Sequence, residues 1–270
     1  MKILNVYIYV FFVWMNTAQA QSLFLLAGQS NACGLGKSTQ SNLLLSSKAF
    51  EYNVLTDSVQ PLRDPAGQQW LQLEPAKTGS ILPAFTATFA QLSGKNVYVL
   101  TAARGGASCS NKAELALFDT WDVTGKIWQN CIDKTNKAIA KTGLPLKGII
   151  WMQGERDANA INDGKATADD YLMALMQLIQ RFRDLYGNDL PFFIVHTGYQ
   201  SGRPITGNEA VRAIQKQVCA TIPNVHLVYE NTHLFEEKKW MHDFVHYNQE
   251  GLNDIGSTIA AKMHEILKEN

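Results

Sequence analysis

Short, almost continuously apolar segments alternate along this chain with segments whose apolar residues recur at helical spacing. Two of the apolar segments are 148–152 (Gly-Ile-Ile-Trp-Met) and 191–195 (Pro-Phe-Phe-Ile-Val). Strands buried on both faces have this composition, as in a parallel sheet that helices cover. The alternation predicts an α/β fold, a three-layer α/β/α sandwich around a central, mainly parallel sheet of five or six strands. The predicted strands are 22–27, 51–55, 96–102, 147–152, 191–196 and 225–229.

Four segments predict amphipathic helices. The clearest has apolar residues at i, i+3, i+4, i+7 and i+10, namely Leu172, Leu175, Met176, Ile179 and Phe182. The others run from Pro83 to just before Gly94, or carry apolar stripes over 211–218 and 252–266. Residues 34–48, 56–80 and 153–168 lack such periodicity, so we expect them to form loops.

The length and charge of the chain limit its organisation and its partners. A chain of 270 residues can bury one good-sized core, so we expect a single domain. The 24 Lys plus Arg residues balance the 24 Asp plus Glu residues, which argues against electrostatic capture of nucleic acid or of an anionic membrane.

The first 20 residues have the pattern of a secretory signal peptide. Lys2 precedes an apolar run over 8–15, and Ala18-Gln19-Ala20 is a small-x-small cleavage site. The sequence therefore predicts cleavage after Ala20, a mature domain over 21–270, and a secreted or periplasmic protein without stable membrane association. An uncleaved anchor is the alternative, but the apolar run is short for a membrane span.

Export would place the four cysteines in a compartment that permits disulfides. Cys33, Cys109, Cys131 and Cys219 allow three complete pairings, among which the sequence does not choose. Cys109 and Cys131 are close in sequence and form the simplest pair to propose. The alternative is that all four are small buried apolar residues.

Two segments near opposite ends of the chain carry the residue types that serine acyl transfer needs. Ser30 follows the first predicted strand and a glycine turn, and Asp243 precedes His246 by three residues. We expect Ser30 to act as nucleophile and His246 as base, with Asp243 orienting the imidazole. The order Ser, Asp, His is that of α/β-hydrolases, but their Gly-x-Ser-x-Gly motif is absent because Ala32 occupies its last position.

Four blocks of this sequence resemble those of SGNH (GDSL-type) hydrolases. They are 28–32 (Gly-Gln-Ser-Asn-Ala), 105–108 (Gly-Gly-Ala-Ser), 151–155 (Trp-Met-Gln-Gly-Glu) and 243–246 (Asp-Phe-Val-His). The Gln-Ser-Asn and Gln-Gly-Glu forms resemble the carbohydrate acetylesterase branch, which includes sialate O-acetylesterases and acetyl xylan esterases. The resemblance implies one SGNH-type, flavodoxin-like esterase domain over 21–270.

The resemblance also implies an oxyanion hole. Its donors would be the backbone N–H groups of Ser30 and Gly106, with Gly105 as second choice to Gly106, and the side-chain amide of Gln153. Glycine permits close approach of a backbone N–H to the reacting group.

Other charged residues near these blocks have alternative interpretations. Glu155 and Asp157 could suggest a two-carboxylate glycosidase, but they lie two apart in one segment and are poorly placed to flank a bond. We expect them instead to orient the site through hydrogen bonds. We expect Arg104 and Arg156 to be surface charges.

The segment from His242 to His246 also resembles the zinc motif His-Glu-x-x-His, with Asp in place of Glu. That motif requires a helix, whereas residues 247–251 indicate a turn, and no third ligand stands out. We therefore expect no metal and no organic cofactor, and a loop position for His242.

The sequence thus predicts a serine ester hydrolase that removes O-acetyl groups from a carbohydrate, such as an acetylated xylan-type glycan or a sialic acid. Two alternatives are a GDSL-type lipase or thioesterase acting on longer acyl chains and a non-catalytic carbohydrate-binding protein on the same scaffold.

Overall fold

The predicted apolar segments form one sheet, with the first of them at its centre. The computed structural model describes residues 21–269. Its strands are β1 (Gln21–Gly28), β2 (Ala49–Asn53), β3 (Ser58–Pro61), β4 (Asn96–Ala103), β5 (Leu146–Met152), β6 (Phe192–Val195) and β7 (Val225–Tyr229). Their order is β3-β2-β4-β1-β5-β6-β7, and every pairing is parallel except that of β2 with β3.

Helices lie between the strands along the chain and after β7. They are α1 (Ser30–Cys33), α2 (Ser38–Ser41), α3 (Leu82–Ser93), α4 (Lys126–Thr142), α5 (Glu155–Asn162), α6 (Ala168–Tyr186), α7 (Thr206–Thr221) and α8 (Gln249–Glu269). Three short 3₁₀ segments lie at Asn42–Leu44, Asn111–Ala113 and Asn231–Leu234.

The alternation of side chains along β1 divides the interior into two cores. Leu23 and Leu25 point to one face, where residues of α4, α6 and α7 pack. Phe24 and Leu26 point to the other face, against α3 and α8. Since all four side chains are at most 1 % exposed, the strand is covered on both faces. The α/β/α sandwich expected from the sequence is confirmed.

Several elements of the described chain were not expected from the sequence, among them α4 and the short α2 within the predicted 34–48 loop. The predicted five or six strands omit β3, a four-residue, half-exposed edge strand that ends at Pro61 and pairs only with β2. The prediction that 153–168 is a loop is wrong over α5. This two-turn helix lacks a long apolar stripe, and it is held by tertiary contacts of small buried residues such as Ala158 and Ala160.

The cysteines are unpaired, so the proposed Cys109–Cys131 disulfide is not formed. Both side chains lie in the same apolar core and behave as small buried residues. Burial raises the pKa of Cys131 to about 12, which disfavours its reactive thiolate.

No helix within residues 21–269 is long and apolar enough to cross a membrane. The predicted signal peptide, 1–20, lies outside the described residues.

The parallel strands β1, β4 and β5 end on the same edge of the sheet. In the sheet, β1 lies between β4 and β5. After β1 the chain first forms β2, β3 and β4 on one side of it, and then β5, β6 and β7 on the other side. Ligand sites in open α/β sheets form where the strand order reverses in this way. Residues 30, 105–106 and 153 follow these three strands directly.

Candidate active site

A tight turn after β1 presents Ser30. Gly28 has φ +150°, and a Cβ there would lie 2.0 Å from the Met152 carbonyl oxygen, so only glycine fits. The Gly28 carbonyl accepts from Trp121 Nε1 at 3.1 Å, and the Gln29 N–H donates to Met152 O at 3.0 Å. The turn is thus fixed to two neighbouring elements before α1 begins at Ser30.

Ser30, His246 and Asp243 lie in a hydrogen-bonded row. Ser30 Oγ is 2.9 Å from His246 Nε2, and His246 Nδ1 is 2.7 Å from Asp243 Oδ2. With the Nδ1 proton donated to Asp243, the Nε2 lone pair accepts from the serine hydroxyl. The structure therefore brings Ser30 together with two residues that lie 213 and 216 positions further along the chain.

Asp243 organises its own loop as well as the imidazole. Its Oδ1 accepts from the N–H groups of Val245 and His246 at 2.9 and 2.8 Å, which leaves Oδ2 for the ring. Partial burial raises the pKa of Asp243, but hydrogen bonds from the His246 ring and the two N–H groups outweigh this and hold it below its usual value. The carboxylate is thus kept ionised beside the His246 ring.

Asn31 holds the backbone on both sides of His246. Its Nδ2 donates to the Val245 carbonyl at 3.2 Å, and its Oδ1 accepts from the Tyr247 N–H at 3.1 Å. The same Nδ2 donates to Glu155 Oε1 at 2.7 Å. The residue next to Ser30 therefore fixes the segment that carries His246, a contact that the sequence analysis missed.

The predicted backbone donors differ in whether they are free. The Gly105 N–H donates to Glu74 Oε2 at 2.8 Å. Within residues 21–269, the N–H groups of Ser30 and Gly106 have no hydrogen-bond partner, and both residues line the cleft at the serine. These contacts favour Gly106 over Gly105 as the donor.

Gln153, the third predicted donor, is buried and engaged. Its Nε2 donates to the Ala107 carbonyl at 3.2 Å and to Asp157 Oδ2 at 2.5 Å. Since an amide nitrogen has two hydrogens, Gln153 would have to release one contact to bind an oxyanion. In this structure it braces the loop that contains Gly106, and its role as a donor stays a prediction.

Asp157 is a second residue that holds the loop containing Gly106. Its carboxylate accepts from the N–H groups of Cys109 and Ser110 at 2.8 and 2.9 Å. Burial raises the pKa of Asp157 to about 6, although these hydrogen bonds and that of Gln153 lower it. Glu155 is similarly buried; burial raises its pKa against the Asn31 hydrogen bond, and its Oε2 has no partner in the described chain. The two carboxylates contact backbone and amide groups rather than flanking a bond.

The Ser30–His246 pair opens into a cleft of about 470 Å³. This volume lies in the range of small-molecule sites. One part of its lining is apolar and another is polar. The apolar residues are Cys33, Leu35, Pro75, Leu115, Phe118, Phe244 and Val245; the polar ones are Gln29, Glu74, Lys77, Glu155, Arg156, Asn159 and Gln200.

The two arginines are not simple surface charges, and the expectation that they are is wrong. Arg104 donates to the carbonyls of Gln72, Leu117 and Phe118 at 3.2, 2.8 and 3.1 Å. Arg156 is half-buried in the cleft, where its Nε donates to the Ala113 carbonyl at 2.8 Å. Its guanidinium thus contributes a positive charge to the cleft.

The His242–His246 segment is not helical. His242 N–H donates to the His246 carbonyl at 2.7 Å, and Met241 pairs with Tyr247 in an antiparallel bridge. This hairpin-like arrangement does not give the two imidazoles the shared helix face that the zinc motif needs.

Comparisons with known proteins agree with this geometry. Residues 20–265 match the family described as carbohydrate esterase, sialic acid-specific acetylesterase. No curated protein sequence gives a significant match.

Solved structures share the fold at low sequence identity. A protein from Arabidopsis thaliana has 20 % identity and a TM-score of 0.69, with 91 % of this chain and 98 % of that one covered. NanS has 13 % identity and a TM-score of 0.65, with 93 % and 99 % covered. A carbohydrate acetylesterase from Xanthomonas citri has 15 % identity and a TM-score of 0.62, with 92 % of this chain and 57 % of that longer one covered.

The fold and the family match define a hydrolase of the esterase class on an SGNH-type scaffold. More particularly, the chain belongs to the carbohydrate esterase family of sialic acid-specific acetylesterases.

Proposed function

We propose that the protein is a carbohydrate O-acetylesterase that works through an acetyl-enzyme intermediate. The observation that carries the proposal is the row Ser30 Oγ, His246 Nε2, His246 Nδ1, Asp243 Oδ2, with contacts of 2.9 and 2.7 Å at the floor of a cleft. Nucleophile, base and orienting carboxylate are within hydrogen-bond reach of one another, as acyl transfer requires.

The reaction has two steps at Ser30. Ser30 Oγ attacks the acetyl carbonyl while His246 Nε2 takes its proton; the tetrahedral intermediate then collapses, and the imidazolium returns that proton to the leaving sugar oxygen. Water, deprotonated by His246, attacks the acetyl-serine, and acetate leaves as Ser30 recovers its proton. The N–H groups of Ser30 and Gly106 stabilise the oxyanion, with Gln153 as the third donor if it releases a present contact.

The cleft supports a carbohydrate leaving group. The Arg156 guanidinium is suited to hydroxyl and carboxylate recognition, and it lies beside Asn159 and Gln200, whose amides hydrogen-bond each other at 2.9 Å. The family match adds support, since the matching family is described as a carbohydrate esterase. An acetylated xylan-type glycan and an O-acetylated sialic acid are the two substrate types that we propose. They differ in charge at the sugar.

The apolar lining favours a second candidate, a lipase or thioesterase that acts on longer acyl chains. Leu115, Phe118 and Phe244 line the cleft with side chains that are 36, 39 and 60 % exposed. Rates on p-nitrophenyl esters of increasing acyl length separate the candidates. A maximum at acetyl supports the acetylesterase, and a maximum at eight or more carbons supports the lipase.

The proposal is tested with Ser30→Ala on a panel that includes acetylated xylan and O-acetylated sialic acids. Loss of a triad member typically costs several orders of magnitude in kcat, so we expect acetate release by the folded variant to fall by about 10⁴-fold or more. Turnover at the wild-type rate by folded Ser30→Ala protein would exclude the mechanism. Absence of turnover by the wild type on every ester would favour a carbohydrate-binding protein.

We also propose that residues 1–20 are removed on export and that 21–270 act as one domain. N-terminal sequencing of the protein recovered outside the cytoplasm tests this. A first residue of Gln21 supports cleavage after Ala20, whereas recovery of the intact N-terminus with the membrane fraction supports the anchor.

A further inference from the structure

The Glu74 carboxylate lies in the catalytic cleft but has no part in the mechanism above. Its Oε2 accepts from the Gly105 N–H at 2.8 Å, and its Oε1 is 3.6 Å from Arg104 Nη1. A Cβ on Gly105 would lie 3.2 Å from Glu74 Oε2 and 3.9 Å from Ser30 Cβ. The carboxylate is therefore one residue away from the free Gly106 N–H and close to the nucleophile.

Glu74 is itself fixed to the sheet. Its N–H donates to the carbonyl of Ala103, the last residue of β4, at 2.9 Å. Side chain and backbone of one residue thus hold the chain on both sides of Arg104, where β4 gives way to the 105–110 loop. Together with Asp157, which holds the far end at Cys109 and Ser110, Glu74 fixes the loop at both ends.

Arg104 connects Glu74 with the segment that covers Gly106 in the cleft. It holds the carbonyls of Leu117 and Phe118, and the Phe118 ring covers Gly106 so closely that a Cβ there would lie 2.7 Å from Phe118 Cγ. Gly106 has φ +73°, a conformation that favours glycine. The loop is therefore restricted at Gly106 by the Phe118 ring and at Gly105 by the Glu74 carboxylate.

We propose, on the basis of the function proposed above, that Glu74 is a positioning residue of the oxyanion site. By accepting the Gly105 N–H it fixes the orientation of the Gly105–Gly106 peptide and so directs the Gly106 N–H to the position where the oxyanion forms. A carboxylate close to a developing oxyanion opposes it electrostatically, and the Arg104 guanidinium offsets that charge. Preorganised donors are effective because they need no reorientation during the reaction.

The proposal predicts a particular pattern for two variants of Glu74. Glu74→Ala frees the Gly105 N–H, and we expect kcat on p-nitrophenyl acetate to fall by about 10- to 100-fold, as for small misplacements of a reacting group. KM should stay within about threefold, because the hydrogen bond from the Gly106 N–H to the oxyanion is made in the transition state. In Glu74→Gln the amide oxygen still accepts the Gly105 N–H, so kcat should stay within about fivefold of the wild type.

A second measurement separates positioning from substrate contact. A p-nitrophenyl phosphonate ester inactivates the enzyme by reacting with Ser30, and this reaction uses the same oxyanion hole. Glu74→Ala should therefore slow the inactivation by a factor similar to that for kcat. Asp57→Asn, which weakens a 3.4 Å ion pair with Lys141 outside the cleft, is the control and should leave both rates unchanged. Melting temperatures of all variants show whether they are folded.

The outcomes distinguish this inference from the proposed function. If Ser30→Ala is inactive but folded Glu74→Ala keeps the wild-type kcat, the positioning role is wrong and the esterase mechanism stands. A raised KM with unchanged kcat would make Glu74 a substrate contact and overturn the proposal. A Glu74→Gln variant as slow as Glu74→Ala would also overturn it, because the acceptor alone would then not matter. Ser30→Ala at the wild-type rate would reject the proposed function itself.

Discussion

At the scale of single residues, the two oxygens of Asp243 have different partners. Oδ1 accepts backbone N–H groups and sets the shape of the loop, whereas Oδ2 accepts the imidazole proton of His246. One side chain therefore serves both the loop and the base. Substitutions that remove one function at a time can separate the two contributions.

The Asp243→Asn variant should keep the shape of the loop but lose the imidazole tautomer that lets His246 act as a base. Its amide oxygen can still accept from Val245 and His246, but its NH₂ would then face Nδ1 and favour the wrong imidazole tautomer. We expect kcat to fall by about 10⁴-fold with little change in melting temperature. Asp243→Ala should be equally slow and also less stable, and an active Asp243→Asn enzyme would contradict the assigned role.

The sequence could predict which residues meet at this site better than how each is used. A serine after a strand and glycine turn, and a carboxylate three residues before a histidine, are local patterns. The direction of the Gln153 amide depends on Ala107 and Asp157, and the position of Glu74 depends on the long 62–80 segment, which has no periodicity. Contacts such as Glu74 to Gly105 join residues 31 positions apart and leave no mark in either local sequence.

At the scale of elements, the site depends on short segments that have little stability of their own. α1 is a single helical turn, and the 241–247 segment pairs only through one isolated bridge. The sequence predicted neither the helix α5 nor the strand β3, because both are stabilised by neighbours rather than by their own periodicity. Asn31 links two such segments, since it lies in α1 and its side chain contacts the loop before α8.

Asn31→Ala should loosen the segment that carries His246. The variant loses both the Val245 and the Tyr247 contact, so we expect kcat to fall by about 10- to 100-fold through misplacement of the base. Asn31→Asp should be worse, because it sets a second carboxylate against the buried Glu155. Steady-state kinetics with melting temperatures checks both, and equal activity of the two variants would argue against the Glu155 contact.

At the scale of the whole molecule, the two cores that flank the sheet enclose polar groups that titrate in acid. His196 follows β6, is 5 % exposed, and neither ring nitrogen has a partner in the described chain. Burial, followed by the charges of Arg212, His233 and Lys216, lowers the pKa of His196 to about 3. Its neutral form is the one that the fold accepts.

This lowered pKa predicts a loss of stability in acid. The unfolded chain binds a proton at His196 with the ordinary pKa of about 6.5, whereas the folded chain resists it, so stability falls as the pH drops from about 6.5 towards 3. His196→Leu removes this titration. When the pH is lowered from 7.5 to 5.5, the free energy of unfolding should therefore fall by about 1.4 kcal/mol more in the wild type than in the variant, a tenfold change in the folding equilibrium. Urea unfolding at both pH values measures it, with Val195→Ala as a control for a buried neighbour whose effect should not change with pH. The same difference between His196→Leu and the wild type at both pH values would mean that the imidazole protonates within the fold, and hence that the core around β6 admits water.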